Sequence, residues 1–87
     1  MAMAVSRDVG KGWQAEVDAR GLVCPLPLLH AKRRMASLES GQALRVLATD
    51  PEAPIDIAAW CEDEGHVLLS DRKADGFVEL VVQKAPG

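Results

Sequence analysis

No Cys-x-x-Cys pair occurs in this chain; its two cysteines stand far apart, at positions 24 and 61. A dithiol redox site and a zinc knuckle both need closely spaced thiols, so neither is supported. A structural disulfide is not expected in a cytosolic chain, and each cysteine is read alone. The sequence has no glycine-rich phosphate loop and no His-Glu-x-x-His. Nothing therefore points to a nucleotide, a cofactor or a metal. Long apolar runs are missing too. The longest uncharged stretch, Gly21 to Leu29, holds two prolines and is far too short to span a bilayer. No apolar h-region lies between Met1 and Gly12, where Arg7 and Lys11 intervene, so no secretory leader is read and the cytoplasm is the expected location.

An excess of positive charge is also lacking. Ten Lys and Arg stand against thirteen Asp and Glu, for a formal net charge of −3. Direct nucleic-acid binding usually needs a basic face, so it is not expected. The charges are nevertheless segregated: Lys32, Arg33 and Arg34 form one block, and Glu62, Asp63 and Glu64 another. Such a chain can offer a positive patch to a protein partner despite its acidic total.

What is present is an ordinary globular composition, 48% apolar and 26% charged over 87 residues. That length suits one domain with a modest core. Residues 1–12 have no period and read as a flexible N-terminal tail; residues 13–87 read as the domain. Trp13, Ala15 and Val17 alternate with Gln14, Glu16 and Asp18, the pattern of a half-buried strand over Trp13–Ala19. Pro25 to Glu39 reads as a helix, with Leu28, Ala31, Met35 and Leu38 on one stripe and Gly41 as its terminating glycine. Ala43 to Thr49 is apolar on both faces apart from Arg45, which predicts a central strand. Asp50 or Thr49 then caps a second helix, with Pro51 as its first residue. That helix runs to about Glu64, with Pro54, Ile57, Ala58 and Cys61 on its apolar side and Gly65 closing it. His66–Asp71 and Phe77–Lys84 are two further strands, joined by the Asp75-Gly76 hairpin signal.

The order is β-α-β-α-β-β. Each strand-helix-strand unit calls for a parallel pair with a right-handed crossover. Both helices then fall on one face of a four-stranded mixed sheet, giving a two-layer α/β sandwich.

The unusual local feature is Cys24-Pro25-Leu26-Pro27 at the start of the first helix. With Cys24 as N-cap, Pro25 takes the first helical position, where a missing N–H costs nothing. Pro27 lies within the same turn of unpaired donors. The Leu26 N–H would point to the sulfur, and the helix N-terminus would favour thiolate over thiol, below the ordinary pKa of about 8.5. Isolated cysteines are most often buried small hydrophobes. At a cap, however, Ser, Thr, Asp or Asn serves structure better, so packing explains Cys24 poorly. Cys61 is the reverse case, a core residue on the apolar side of its helix. His30 and His66 have no ligand-spaced companions. Lys32 lies about 12 Å along the helix axis from Cys24 at 1.5 Å per residue, too far to hold a thiolate, but a docking partner could span both.

Asp18-x-x-Gly21-x-x-Cys24-Pro25-x-Pro27 resembles the signature of the TusA/SirA-like sulfur-carrier family. The likeness continues at Thr49-Asp50-Pro51, Asp56-Ile57 and Gly65-His66-Val67-Leu68, and covers roughly Val17 to Lys84. It implies a βαβαββ sandwich with strand order 1-2-4-3. It implies that Cys24 carries sulfur as a persulfide, loaded by a cysteine desulfurase or rhodanese-type donor and passed to an acceptor protein. By the same resemblance Pro25 and Pro27 shape the helix turn, Asp18 and Gly21 shape the preceding loop, and Asp50 lies near the same end of the sheet. Leu26, Lys32, Arg33 and Arg34 fall on the implied docking surface of a protein that is a monomer alone. Thr49 stands where some members have a second acid, and Leu26 where some carry a charge. The family serves tRNA thiolation, molybdenum-cofactor assembly or sulfur oxidation. Two other readings compete: an interaction module in which Cys24 merely caps a helix, and a peroxide sensor, for which no resolving cysteine lies nearby.

Overall fold

In the computed structural model, which describes residues 12–86, the chain forms β1 (Ala15–Ala19), α1 (Leu26–Met35), β2 (Ala43–Ala48), α2 (Ala53–Glu64), β3 (Val67–Ala74) and β4 (Phe77–Gln83). The tail expected over residues 1–12 lies, apart from Gly12, outside the described residues. The sheet order is β1-β2-β4-β3. β1 runs parallel to β2, with Val17 opposite Val46. β4 is antiparallel to both β2 and β3. β2 and β4 are thus the inner strands, as the two-sided apolar pattern of Ala43–Thr49 predicts.

Both helices pack on one face. Ala31 and Met35 of α1 and Ile57, Trp60 and Cys61 of α2 share a core with Ala15, Leu44, Val46, Leu80 and Val82 of the sheet. Strand side chains alternate between faces, so the other face carries Glu16, Arg45, Arg72 and Glu79. There Arg45 reaches Glu79 at 2.6 Å and Glu16 at 3.0 Å, and Arg72 reaches Glu79 at 2.8 Å. These two guanidiniums hold the Glu79 carboxyl below its usual pKa, although Glu79 is buried. Among the described residues no helix is long and apolar enough to cross a membrane.

Several element boundaries differ from the sequence expectation. Regular pairing in the first strand begins at Ala15, two residues later than read, and Trp13 leaves the alternation to lie over the Arg45 guanidinium at 4.8 Å. α1 spans Leu26–Met35, not Pro25–Glu39. It ends where the Ala36 and Ser37 N–H groups turn back to Lys32 and Arg34 carbonyls. Leu38 is still buried, but from the turn. Gly41 belongs to the approach to β2, where its φ is +86° and its N–H donates to the Lys84 carbonyl at 3.1 Å. α2 begins after Glu52, not at Pro51. Its buried stripe is Ala53, Ile57, Trp60 and Cys61. Ala58 faces out because it stands one step around the helix from Ile57, whereas Trp60 and Cys61 stand three and four steps on. Gly65 closes α2 in the left-handed region, as expected. β3 runs to Ala74 and carries a register shift between Leu68 and Ser70.

Candidate functional site

Two parallel neighbouring strands deliver their following loops to the same end of the sheet, the usual place for a site in such folds. Here the β1–α1 loop carries Cys24 and the β2–α2 loop carries Thr49 and Asp50. The loops are clasped. Gly21 donates its N–H to Thr49 Oγ1 at 2.9 Å, and the Cys24 N–H donates to Asp50 Oδ2. Gly21 adopts φ +85°, a left-handed conformation that glycine enters without steric cost. Asp50 also accepts the Glu52 N–H on Oδ1 at 2.8 Å. These two backbone donors hold its carboxyl below the usual range. Asp50 therefore shapes both loops, even though it does not cap α2.

Asp18 works one step away. Its two carboxylate oxygens grip Arg20 Nε and Nη2, each at 2.8 Å, and it takes the Arg20 N–H at 3.2 Å. The Arg20 side chain and backbone N–H hold the Asp18 carboxyl down at about 2. The Arg20 guanidinium lies 5.1 Å over the Phe77 ring. This pair shapes the turn out of β1.

Cys24 is exposed, and its surroundings differ from those expected. The helix cap is Pro25, with Leu26 first and Pro27 second in α1. Cys24 thus stands one residue before the cap. The Leu26 N–H does not face the sulfur; it donates to the Val23 carbonyl at 2.9 Å. The sulfur itself points toward α2 and donates to Asp56 Oδ2 at 3.0 Å. That hydrogen bond, partial desolvation and the negative charges of Asp56, Glu52 and Asp50 push the Cys24 thiol up to about 11. The geometry differs from the one that would acidify the thiol: Cys24 stands before the cap of α1, and its sulfur faces Asp56, Glu52 and Asp50.

The two prolines divide the labour. Pro27 is fully buried and anchors the first turn of α1 in the core, while Pro25 is exposed. Leu26 stays partly exposed beside Cys24. Lys32, Arg33 and Arg34 occupy the last turn of α1, away from the sulfur. Cys61 is buried, and burial raises its thiol pKa. His66 accepts the Ala85 N–H on Nδ1 at 2.9 Å and meets Trp60 edge-on, a structural role. Glu52 and Asp56 were not assigned a part by the sequence. The signal available for them was topological: a first-turn acid of α2 lies at the same sheet end as Cys24. Cys24 Sγ and carboxylate oxygens of Glu52 and Asp56 lie within 4.8 Å of one another. Exposed acids often converge in this way without a metal, and the set carries no metal assignment.

Residues 15–84 match the family model of sulfurtransferase TusA. The chain belongs to the TusA family of sulfur carriers. A protein of Neisseria meningitidis serogroup A, provisionally named a sulfur carrier, is 51% identical over 67 residues, covering 77% of this chain and 90% of its own. The sulfur carrier protein TusA of Allochromatium vinosum is 39% identical over 70 residues, covering 80% of this chain and 92% of its own. The crystal structure of a SirA-like protein from Desulfitobacterium hafniense superposes with a TM-score of 0.74 at 27% identity, covering 83% of this chain and 99% of that one. The expected family and the βαβαββ sandwich are both borne out. A TusA-family sulfur carrier works between a protein that gives sulfur and one that takes it.

Proposed function

We propose that Cys24 is the sulfur-carrying residue, accepting sulfane sulfur as a persulfide and passing it to an acceptor protein. The observation that supports this most directly is its placement. Cys24 is exposed at the carboxyl end of the parallel strands, its backbone pinned by Asp50 from the neighbouring loop. Cys61, the other cysteine, is buried.

The exchange is a thiol–disulfide type displacement. The Cys24 thiolate attacks the outer sulfur of a donor cysteine persulfide. The donor's S–S bond breaks, and its cysteine leaves as a thiolate. One sulfur atom moves, with no net oxidation. A second displacement hands that atom to the acceptor's thiolate and regenerates Cys24. Asp18, Gly21, Pro25, Pro27 and Asp50 hold the loop in place for this chemistry. Leu26 and the Lys32–Arg34 block belong to the docking surface.

The donor is a cysteine desulfurase or a rhodanese-type protein, and the carrier acts as a cytoplasmic monomer without nucleic-acid contact of its own. The acceptor belongs to a relay for tRNA thiolation, molybdenum-cofactor assembly or sulfur oxidation. Intact-mass spectrometry after incubation with a cysteine desulfurase and L-cysteine tests the reading. The wild type should gain the mass of one sulfur atom and lose it on reduction; Cys24→Ser should gain none. Equal gain by both proteins would sink the assignment.

A further inference from the structure

Among the described residues, the charged groups acting on the Cys24 sulfur are all negative. Asp56 takes its hydrogen at 3.0 Å, and Glu52 and Asp50 add their fields from the start of α2 and the loop before it. Among the described residues, no backbone N–H donates to the sulfur. The Cys24 N–H is taken by Asp50, the Leu26 N–H by the Val23 carbonyl and the Leu29 N–H by the Pro25 carbonyl. Pro25 and Pro27 have no N–H at all. The basic block of α1 is at its far end. Yet the transfer needs a thiolate, because the thiol is not the nucleophile. None of the described residues supplies the positive charge that would stabilise it, and a bound partner can.

A second observation says where that charge would arrive. Val23 and Leu26 flank Cys24 in the chain, and Ile55 precedes Asp56; they are 66%, 39% and 68% exposed. Large apolar side chains this exposed around a reactive group are suited to a contact that excludes water. Exclusion of water strengthens any ion pair formed inside it.

We propose that Asp56 gates Cys24: in the free carrier it holds the thiol hydrogen, and a sulfur donor opens the gate by placing a lysine or arginine side chain against the Asp56 and Glu52 carboxylates. This deepens the carrier reading and rests on it. The gate acts on loading. There the nucleophile is Cys24 Sγ itself, and its proton leaves for the departing donor thiolate, so that Cys24–SH and donor–S–SH become Cys24–S–SH and donor–SH. In delivery the mobile sulfur is one atom further out, beyond the hydrogen bond to Asp56. A thiol kept protonated until its donor arrives also escapes stray alkylation and oxidation, which need the thiolate.

The test sets two readouts of Asp56→Asn against each other. Removing the charge should raise the alkylation rate of the free protein by a neutral reagent at pH 8. The gain should be roughly three- to ten-fold, because the added thiolate is partly offset by its lower nucleophilicity. The same variant should be loaded several-fold more slowly by a cysteine desulfurase with L-cysteine, and that loading should be less sensitive to salt. Asp56→Glu, which keeps the charge, should restore salt-sensitive loading. A variant that alkylates no faster overturns the gate, and so does one that loads as fast as wild type or faster. If wild-type Cys24 alkylates normally but takes no sulfur from the desulfurase or from a small-molecule persulfide, the carrier reading has failed. The alkylation arm then still decides whether Asp56 holds the thiol.

Discussion

The Cys24 sulfur lies against the Asp56 carboxylate at the start of α2, with Glu52 and Asp50 nearby, and these acids set its chemistry in the free protein. Cys24-Pro25-x-Pro27 correctly marks a helix start, and the exposure of the sulfur follows from it. The inferred acidity does not, because one position matters. As a cap, Cys24 would have had the first-turn donors before it; one residue earlier, it faces the start of α2 instead. The acids there lie some thirty positions away in sequence, and no local pattern relates them to the sulfur. The alkylation rate of the free wild type should accordingly keep rising well above pH 8.5, toward the value of about 11. A plateau below pH 8 would contradict the hydrogen bond to Asp56. Linkage gives the sign for stability. A thiol with a raised folded pKa stays protonated when the unfolded chain has already ionised, so it makes folding less favourable as pH climbs from the ordinary cysteine range to about 11. Below that range the thiol is protonated in both states, its hydrogen bond to Asp56 is fully present, and stability does not change with pH on its account. Cys61 was legible throughout, since a mid-helix cysteine next to Ile57 reads as core and is core. Cys61→Ala should cost about 1 kcal/mol in chemical denaturation and leave sulfur loading intact. Loss of loading in a folded variant would show that the core assignment is incomplete.

At the scale of elements, the strands and helices were legible because each obeys its own period, while their ends were not. The end of α1 is the clearest case. The apolar stripe continues through Leu38, and Leu38 is indeed buried, but burial does not require the backbone to stay helical. The backbone leaves the helix at Ala36, where the Ala36 and Ser37 N–H groups turn back to the Lys32 and Arg34 carbonyls. Trp13 departs from the expected alternation, and Trp60 joins a stripe that did not include it, for a related reason. Alternation and helical stripes follow hydrophobic type, whereas Trp13 lies over the Arg45 guanidinium and Trp60 is part of the core. The loop that matters most, Arg20 to Cys24, has one position that needs a left-handed backbone, Gly21. Its φ is +85°, and a Cβ there would touch nothing within 4 Å. The cost of Gly21→Ala is therefore backbone strain alone, on the order of 1 kcal/mol. The strain should fall on the hydrogen bond to Thr49 and on the position of Cys24. Loading should slow by more than the stability loss implies. A variant that is destabilised but loads at the wild-type rate would separate the loop from the chemistry.

The two ends of the helix layer differ in charge. Around Cys24, where α2 begins, the charges are carboxylates; at the far end Lys32, Arg33 and Arg34 of α1 stand beside Glu62, Asp63 and Glu64 of α2. Sequence showed the basic block and the Glu62–Glu64 block directly, because their members are adjacent; it could not show the acidic group around Cys24, which the topology assembles from Asp50, Glu52 and Asp56. A partner that covers both regions meets opposite charges roughly a helix length apart, about 15 Å at 1.5 Å per residue. Such a pattern sets orientation more than it sets affinity. Reversing Lys32, Arg33 and Arg34 to Glu should therefore slow protein-to-protein transfer and flatten its dependence on salt. It should leave the reaction of Cys24 with a small neutral reagent nearly unchanged, because these side chains do not act on the sulfur. Paired transfer and alkylation assays on the same preparation check this. An equal loss in both would mean a damaged fold or a displaced loop; no loss in either would confine docking to the acidic, apolar-rimmed end where Cys24 lies.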